Sequence, residues 1–217
     1  MIYENNFYMT DKLVSKIEEL PLSGDDLVKI SNSLGNSKVT WMLYDDLKKY
    51  QHPSQIFGNK YIAVFVLMQI RSDDPGKDSI GHWVCWIYHP DKDEYYWYDS
   101  YAIPISEELA ITGEDRTILL LTKDIHLGDA NIHKHQLFKN DVNTCGRHCA
   151  LRSVFYHLDN ERYHHLVIDP IVPLPVTTAD ILVSLITGLV SKTDQVLINF
   201  FNKKEDENIT KLIASDR

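Results

Sequence analysis

Residues 61 to 68 read Tyr-Ile-Ala-Val-Phe-Val-Leu-Met, eight positions without a charged or amide side chain. A run this short, β-branched and without alternation fits a strand buried on both faces. Such a strand needs neighbours at both edges and cover above and below, so it constrains the whole fold. His82 to Tyr88 and Glu94 to Asp99 are aromatic-rich runs joined around Pro90-Asp91, which reads as a hairpin. Thr117 to Thr122 and Ile132 to Phe138 are further strand candidates.

Helical patterns lie on either side of this centre. Thr10 is placed to cap a helix whose Leu13, Ile17 and Leu20 share one face, and Pro21 ends it. Ser23 precedes Gly24-Asp25-Asp26-Leu27, acidic at the front as a helix start favours, with Gly35 as the stop. Trp41 to Tyr50 reads as a third helical piece, and Thr144 to Leu158 and Ala179 to Val190 as two more. Strands in the middle with helices at both ends define an α+β chain, expected to form one domain over 1–217 without repeats or linkers.

Composition narrows the function. Apolar residues at 44% and charged residues at 24% match a globular protein rather than a disordered one. The net charge of −9 argues against a general nucleic-acid binder, which needs clustered Lys and Arg to displace counterions. Met1-Ile2-Tyr3-Glu4-Asn5 offers no basic segment before an apolar stretch, so no secretion signal is expected. The most apolar segment, Ile181 to Val190, falls well short of the ~20 residues that span a bilayer. Cys85, Cys145 and Cys149 form no Cys-x-x-Cys, which suits a reducing compartment and a free thiol.

His82, Asp99 and Cys145, in that order, are the side chains of a thiol nucleophile with its base and the carboxylate that orients the base. Side chains alternate along a strand, so register decides whether His82 and Asp99 share a face. Pairing them directly, or shifting by two, brings a carboxylate to the imidazole; a one-residue slip separates them. Cys85 falls on the face away from His82 and reads as core. Cys145, followed by Gly146, opens a helical pattern, where unsatisfied N–H groups and the positive dipole end stabilise a thiolate. The Gly146 N–H is a candidate oxyanion donor and leaves room for substrate. For the side-chain donor, Gln136 is favoured, with Asn140 as the alternative. Cys149, one turn further along, is expected to face the core.

His82-Trp83, Asp99 and Cys145-Gly146 together resemble the His–Asp–Cys proteases that include the SUMO and NEDD8 proteases and the adenovirus maturation protease. Asn143-Thr144-Cys145-Gly146-Arg147-His148, with Pro21-Leu22-Ser23-Gly24-Asp25-Asp26-Leu27, further resembles the thiol proteases of virophages, Polinton-type elements and large DNA viruses. The resemblance implies a papain-type fold with a central mixed sheet flanked by helices. It also implies a cysteine endopeptidase that trims capsid precursors next to Gly-type residues. The expected location is host cytoplasm, virus factory and virion, the partner a protein substrate, and no cofactor. Trp83, and more weakly Trp41, would wall the substrate channel. The family places its oxyanion Gln about six residues before the Cys, where this chain has Lys139. The adenovirus enzyme's use of DNA is not carried over to this acidic chain.

Two other readings stand beside this one. The same fold and chemistry would serve a deconjugating protease acting on a ubiquitin-like tail. Alternatively, His133, His135, Cys145, His148 and Cys149 would bind zinc in an interaction module. On the protease reading, Cys145→Ala abolishes cleavage, while Cys85→Ser and Cys149→Ser retain most of it. Full activity of Cys145→Ala against a cleaved substrate overturns the assignment.

Overall fold

The computed structural model describes residues 14–70, 80–139, 141–168 and 179–190. Thr10 and Leu13 lie outside them, and the first helical turns seen are at 14–19. Helix α1 (Gly24–Ser33) begins at a capping box. The Ser23 hydroxyl accepts from the Asp26 amide, and the Asp26 carboxylate accepts from the Ser23 amide. The helix gives way at Leu34, and Gly35 takes φ 103, a conformation that favours glycine.

Four strands follow: β1 (Val39–Leu43), β2 (Ala63–Ile70), β3 (Ile80–His89) and β4 (Glu94–Tyr98). They form one mixed sheet in the order β1-β2-β3-β4, with β1 parallel to β2 and the other pairs antiparallel. The apolar run at 61–68 thus supplies most of an interior strand, paired on both edges over Ala63 to Leu67. Between β1 and β2 come a 3-10 turn (Tyr44–Lys49) and α2 (Ser54–Phe57). After β4 come α3 (Ile105–Thr112), α4 (Thr117–Thr122), α5 (Cys145–Val154), α6 (Asn160–Tyr163), a π-helical turn (His164–Ile168) and α7 (Ala179–Val190). The result is an α+β arrangement, a mixed sheet flanked by helices.

Three local expectations are corrected. Trp41 lies in β1, because the register of Trp41 with Phe65 in β2 outweighs the helical spacing of Met42, Leu43 and Leu47. Thr117 to Thr122 is helix α4: it buries Ile118, Leu121 and Thr122 at helical spacing and leaves Leu120 exposed. A short apolar run cannot by itself distinguish the two periods. Ile132 to Phe138 is irregular; the His135 and Gln136 amides both donate to the Ser100 carbonyl instead of joining the sheet.

Each face of the sheet has its own core. Phe65, Trp83, Cys85, Ile87, Tyr96 and Tyr98 pack with Leu27 and Ile30 of α1 and with Cys149, Ala150 and Leu151 of α5. Val64, Val66, Met68, Val84, Trp86 and Trp97 pack with Tyr44, Phe57, Leu109 and Ile118 on the other side. Burying one side chain of this size contributes about 1.5–3 kcal/mol, so two such layers account for most of the driving force. No helix among the described residues is long and apolar enough to cross a membrane.

The first core also contains a cation. Arg152 is fully buried, and its guanidinium donates to the carbonyls of Phe155 and Leu158 and to Asn160 Oδ1. It lies 4.9 Å from the centre of the Tyr163 ring. Burial lowers its pKa, as expected where charge is desolvated. Arg152→Met strands these acceptors at ~1–3 kcal/mol each, so urea denaturation should show a loss of at least about 3 kcal/mol. A loss below about 1 kcal/mol would mean the acceptors find other partners.

Candidate functional site

The hairpin register fixes the first pair. Cys85 faces Tyr98 and Trp86 faces Trp97, so Asp99, just past the end of β4, is diagonal to His82 on the same face. The His82 Nε2–H donates to Asp99 Oδ1 at 2.7 Å. Asp99 is 1% exposed, and its carboxylate also accepts from the amides of Tyr101 (3.1 Å) and Ile103 (2.9 Å). Ala102, between those two donors, takes φ 59, so the turn wraps around the carboxylate. The Tyr101 ring stacks on His82 with centroids 5.1 Å apart.

Cys145 is the first residue of α5 and is partly exposed. It shares a side-chain hydrogen bond with His82, and the amides of Trp83 and Gly146 both donate to its sulfur. Burial pushes the thiol up, but the His82 bond and charge and the two amides outweigh it and bring it below the ordinary range. For His82, burial pulls the imidazole down, while the hydrogen bonds and charges of Asp99 and Cys145 raise it well above its usual value. Both shifts favour a thiolate–imidazolium pair.

The start of α5 is held from several directions. The Thr144 hydroxyl donates to Asp180 Oδ1, His148 Nε2 meets the same oxygen at 3.0 Å, and the Leu137 amide donates to Asp180 Oδ2. Asp180 is fully buried near the start of α7. Asn143 donates from its amide and side chain to the carbonyls of Glu18 and Glu19. A Cβ at Gly146 would come within 2.9 Å of Leu27 and 3.2 Å of Trp83, so glycine lets the helix start approach β3. Neither Asp180 nor Glu108 was selected from the sequence; Asp180 gave only the signal of an acid at a helix start.

Cys145 opens onto a cleft of ≈ 390 Å³ bordered by Trp41, Trp83, Leu43, Leu67, Asp25 and Asn143. The two indoles meet edge to face with centroids 6.2 Å apart. Trp83 Nε1 donates to the Leu22 carbonyl at 3.0 Å and Trp41 Nε1 to Asp25 Oδ1 at 2.9 Å. A Cβ at Gly24 would fall 2.2 Å from the Trp41 ring, so this glycine makes room for the wall.

The remaining candidates fall elsewhere. The buried Gln136 amide donates to the Val142 carbonyl at 3.2 Å and accepts from the Ser100 hydroxyl at 2.7 Å, bracing the loop before Cys145. Asn140 lies outside the described residues. Cys85 is buried, and its thiol is pushed up to about 12. Cys149 is buried too, with Sγ–H donating to the Trp83 carbonyl. Of the zinc candidates, His133 and His135 stack with His164, and His135 lies 6.3 Å from His148 between ring centres. The thiol of Cys145 is engaged with His82 instead.

A second acid stands beside the pair. Glu108 of α3 is 2% exposed, and its Oε1 lies 3.6 Å from His82 Nε2. Its Oε2 accepts from Trp97 Nε1 at 3.1 Å. Burial, then the charge of Asp99, pushes its carboxyl up to about 8. Among the described residues, His82, Asp99 and Glu108 are also the group whose ligand atoms lie within 4.8 Å of one another, a spacing suited to a small cation. The His82–Asp99 hydrogen bond and the neutral form favoured at Glu108 suit a proton network better.

The opposite shifts at Cys145 and His82 have a direct consequence. Iodoacetamide should alkylate Cys145 at pH 6–7 at rates typical of a thiolate, with peptide mapping locating the label. In His82→Ala the rate should fall at least ~10-fold at pH 7, because each unit of restored thiol pKa removes a tenfold share of thiolate. Equal rates in both proteins would show that His82 does not activate the sulfur.

No model of a known protein family matches the chain. Among curated proteins, it is similar to the uncharacterized protein V9 of Sputnik virophage, 29% identical over 180 residues that cover 78% of this chain and 95% of that one.

Proposed function

We propose that this chain is a cysteine endopeptidase of the papain-type, SUMO-protease-like fold, and that it trims capsid or other structural precursors during virion maturation. The observation that carries this reading is the position of His82, hydrogen-bonded to Asp99 and to Cys145 at the head of an open cleft. The likeness to a virophage protein supports the viral context. It fits action in host cytoplasm, the virus factory and the virion.

The residues support a two-step acyl transfer. The Cys145 thiolate attacks the scissile carbonyl carbon, forming a C–S bond and an oxyanion. The Gly146 amide, already directed at the sulfur, would hold that charge. The His82 imidazolium then protonates the leaving amine as the C–N bond breaks, leaving a thioester. His82, now neutral, takes a proton from water, which attacks the thioester and releases the acid and the thiolate. Asp99 holds the ring and stabilises its charged form throughout.

Trp83 and Trp41 wall the cleft at the sulfur, and a narrow wall selects by exclusion. In a peptide series with Gly, Ala or Val on the acyl side of the bond, kcat/KM should fall from Gly to Val by more than the ~10–200-fold of a roomy apolar pocket. Trp41→Ala should relax the preference, and equal turnover of Gly and Val peptides rules the channel out. The purified protein should cleave a co-encoded capsid precursor and leave a ubiquitin-like reporter intact. The reverse pattern makes it a deconjugating protease, and cleavage of neither removes the proposal.

A further inference from the structure

We propose that Glu108 is a positioning residue for His82, a reserve carboxylate that takes over the imidazole when Asp99 cannot hold it. The inference rests on His82 and Cys145 acting as a pair, and its test reads the thiol directly, without any protein substrate.

The geometry is specific. Trp97 of β4 ties down Oε2 of Glu108, which leaves Oε1 turned to the His82 ring. That oxygen is buried and accepts no hydrogen bond. A buried polar atom without a partner, donor or acceptor, costs ~1–3 kcal/mol, so its presence here asks for a reason. The Nε2–H that Asp99 already holds lies 3.6 Å from Oε1 against 2.7 Å from Asp99 Oδ1. Once Glu108 is ionised, a small ring rotation would pass the N–H hydrogen bond from Asp99 to Glu108. Trp97 alone would be satisfied by any acceptor; it does not require a second oxygen facing the base.

The groups facing Glu108 set when it is charged. They are His82 on β3 and Asp99 after β4, with neutral Trp97 alongside. Burial and the Asp99 charge keep Glu108 protonated at neutral pH, where a second anion would add little to a base already paired. Removing the Asp99 charge removes one of the two causes, so the Glu108 carboxyl must fall below about 8 and ionise closer to neutrality. The second acid then supplies the charge that the first has lost.

The test is the pH profile of Cys145 alkylation by iodoacetamide in five proteins: wild type, Asp99→Asn, Glu108→Gln, Asp99→Asn/Glu108→Gln and His82→Ala. Both single changes are near-isosteric, and circular dichroism checks each fold. The apparent thiol pKa should rise in the order wild type, Asp99→Asn, double variant. The double variant should react at least ~10-fold more slowly than Asp99→Asn at pH 7.5, equivalent to one unit of thiol pKa. Identical profiles for Asp99→Asn and the double variant would overturn the proposal. So would an Asp99→Asn protein as unreactive as His82→Ala, a comparison that stands even if the double variant fails to fold. A protein that cleaves nothing yet shows this order keeps the reserve carboxylate and loses the protease reading.

Discussion

Strand β3 is packed on both faces, and that constraint organises the rest of the molecule. Its odd residues, Trp83, Cys85 and Ile87, enter the core under α1 and α5. Its even residues, Val84 and Trp86, enter the core under α3 and α4. His82 continues the even row and so reaches Asp99 and Glu108, while its neighbour Trp83 faces the other way, to the cleft and to α5. A one-residue slip in the pairing of β3 would exchange the two rows and bury the imidazole in the wrong core. Full burial on both sides makes such a slip costly, so the register that places His82 is protected by the whole sheet.

The site itself lies where β4 stops. Beyond the Cys85–Tyr98 pair, β3 keeps β2 on one edge and loses its partner on the other. The chain after Tyr98 turns around the Asp99 carboxylate, and the loop carrying His135 and Gln136 docks on the Ser100 carbonyl. This opening lets the start of α5, which packs on the odd face, bring its sulfur to a side chain of the even row. Electrostatics completes the arrangement. The thiolate gains from two backbone amides and an imidazolium, and the imidazolium gains from a carboxylate and a thiolate. Burial would penalise each charge alone, so each depends on the others.

A second network keeps that set in place from behind. Asp180, on the last described helix, accepts from Thr144 and meets His148, residues on either side of Cys145, and also receives the Leu137 amide. One buried carboxylate thus ties α5, α7 and the preceding loop together. The N-terminal region closes the opposite side, through the Asn143 bonds to Glu18 and Glu19 and the Trp83 bond to Leu22. Elements far apart in the chain therefore converge around the start of α5.

Local chemistry alone determined much of this protein. The unbroken apolar run at 61–68 had to be an interior strand, and the aromatic hairpin gave His82 and Asp99 a common face in any odd register. Ser23 and Gly35 marked α1, and Cys145-Gly146 marked a helix start, because caps and periodicity are read within a few residues. Tertiary structure decided what local signals left degenerate. Thr117 to Thr122 became a helix because three of its side chains fit one core at helical spacing, and Trp41 joined a strand because β2 offered it a partner. Glu108 and Asp180 looked like surface acids, since nothing in the sequence records that α3 and α7 would press them against His82 and Thr144. Whether a carboxylate is solvated or buried beside a base depends on distant segments, and only the packed fold sets that.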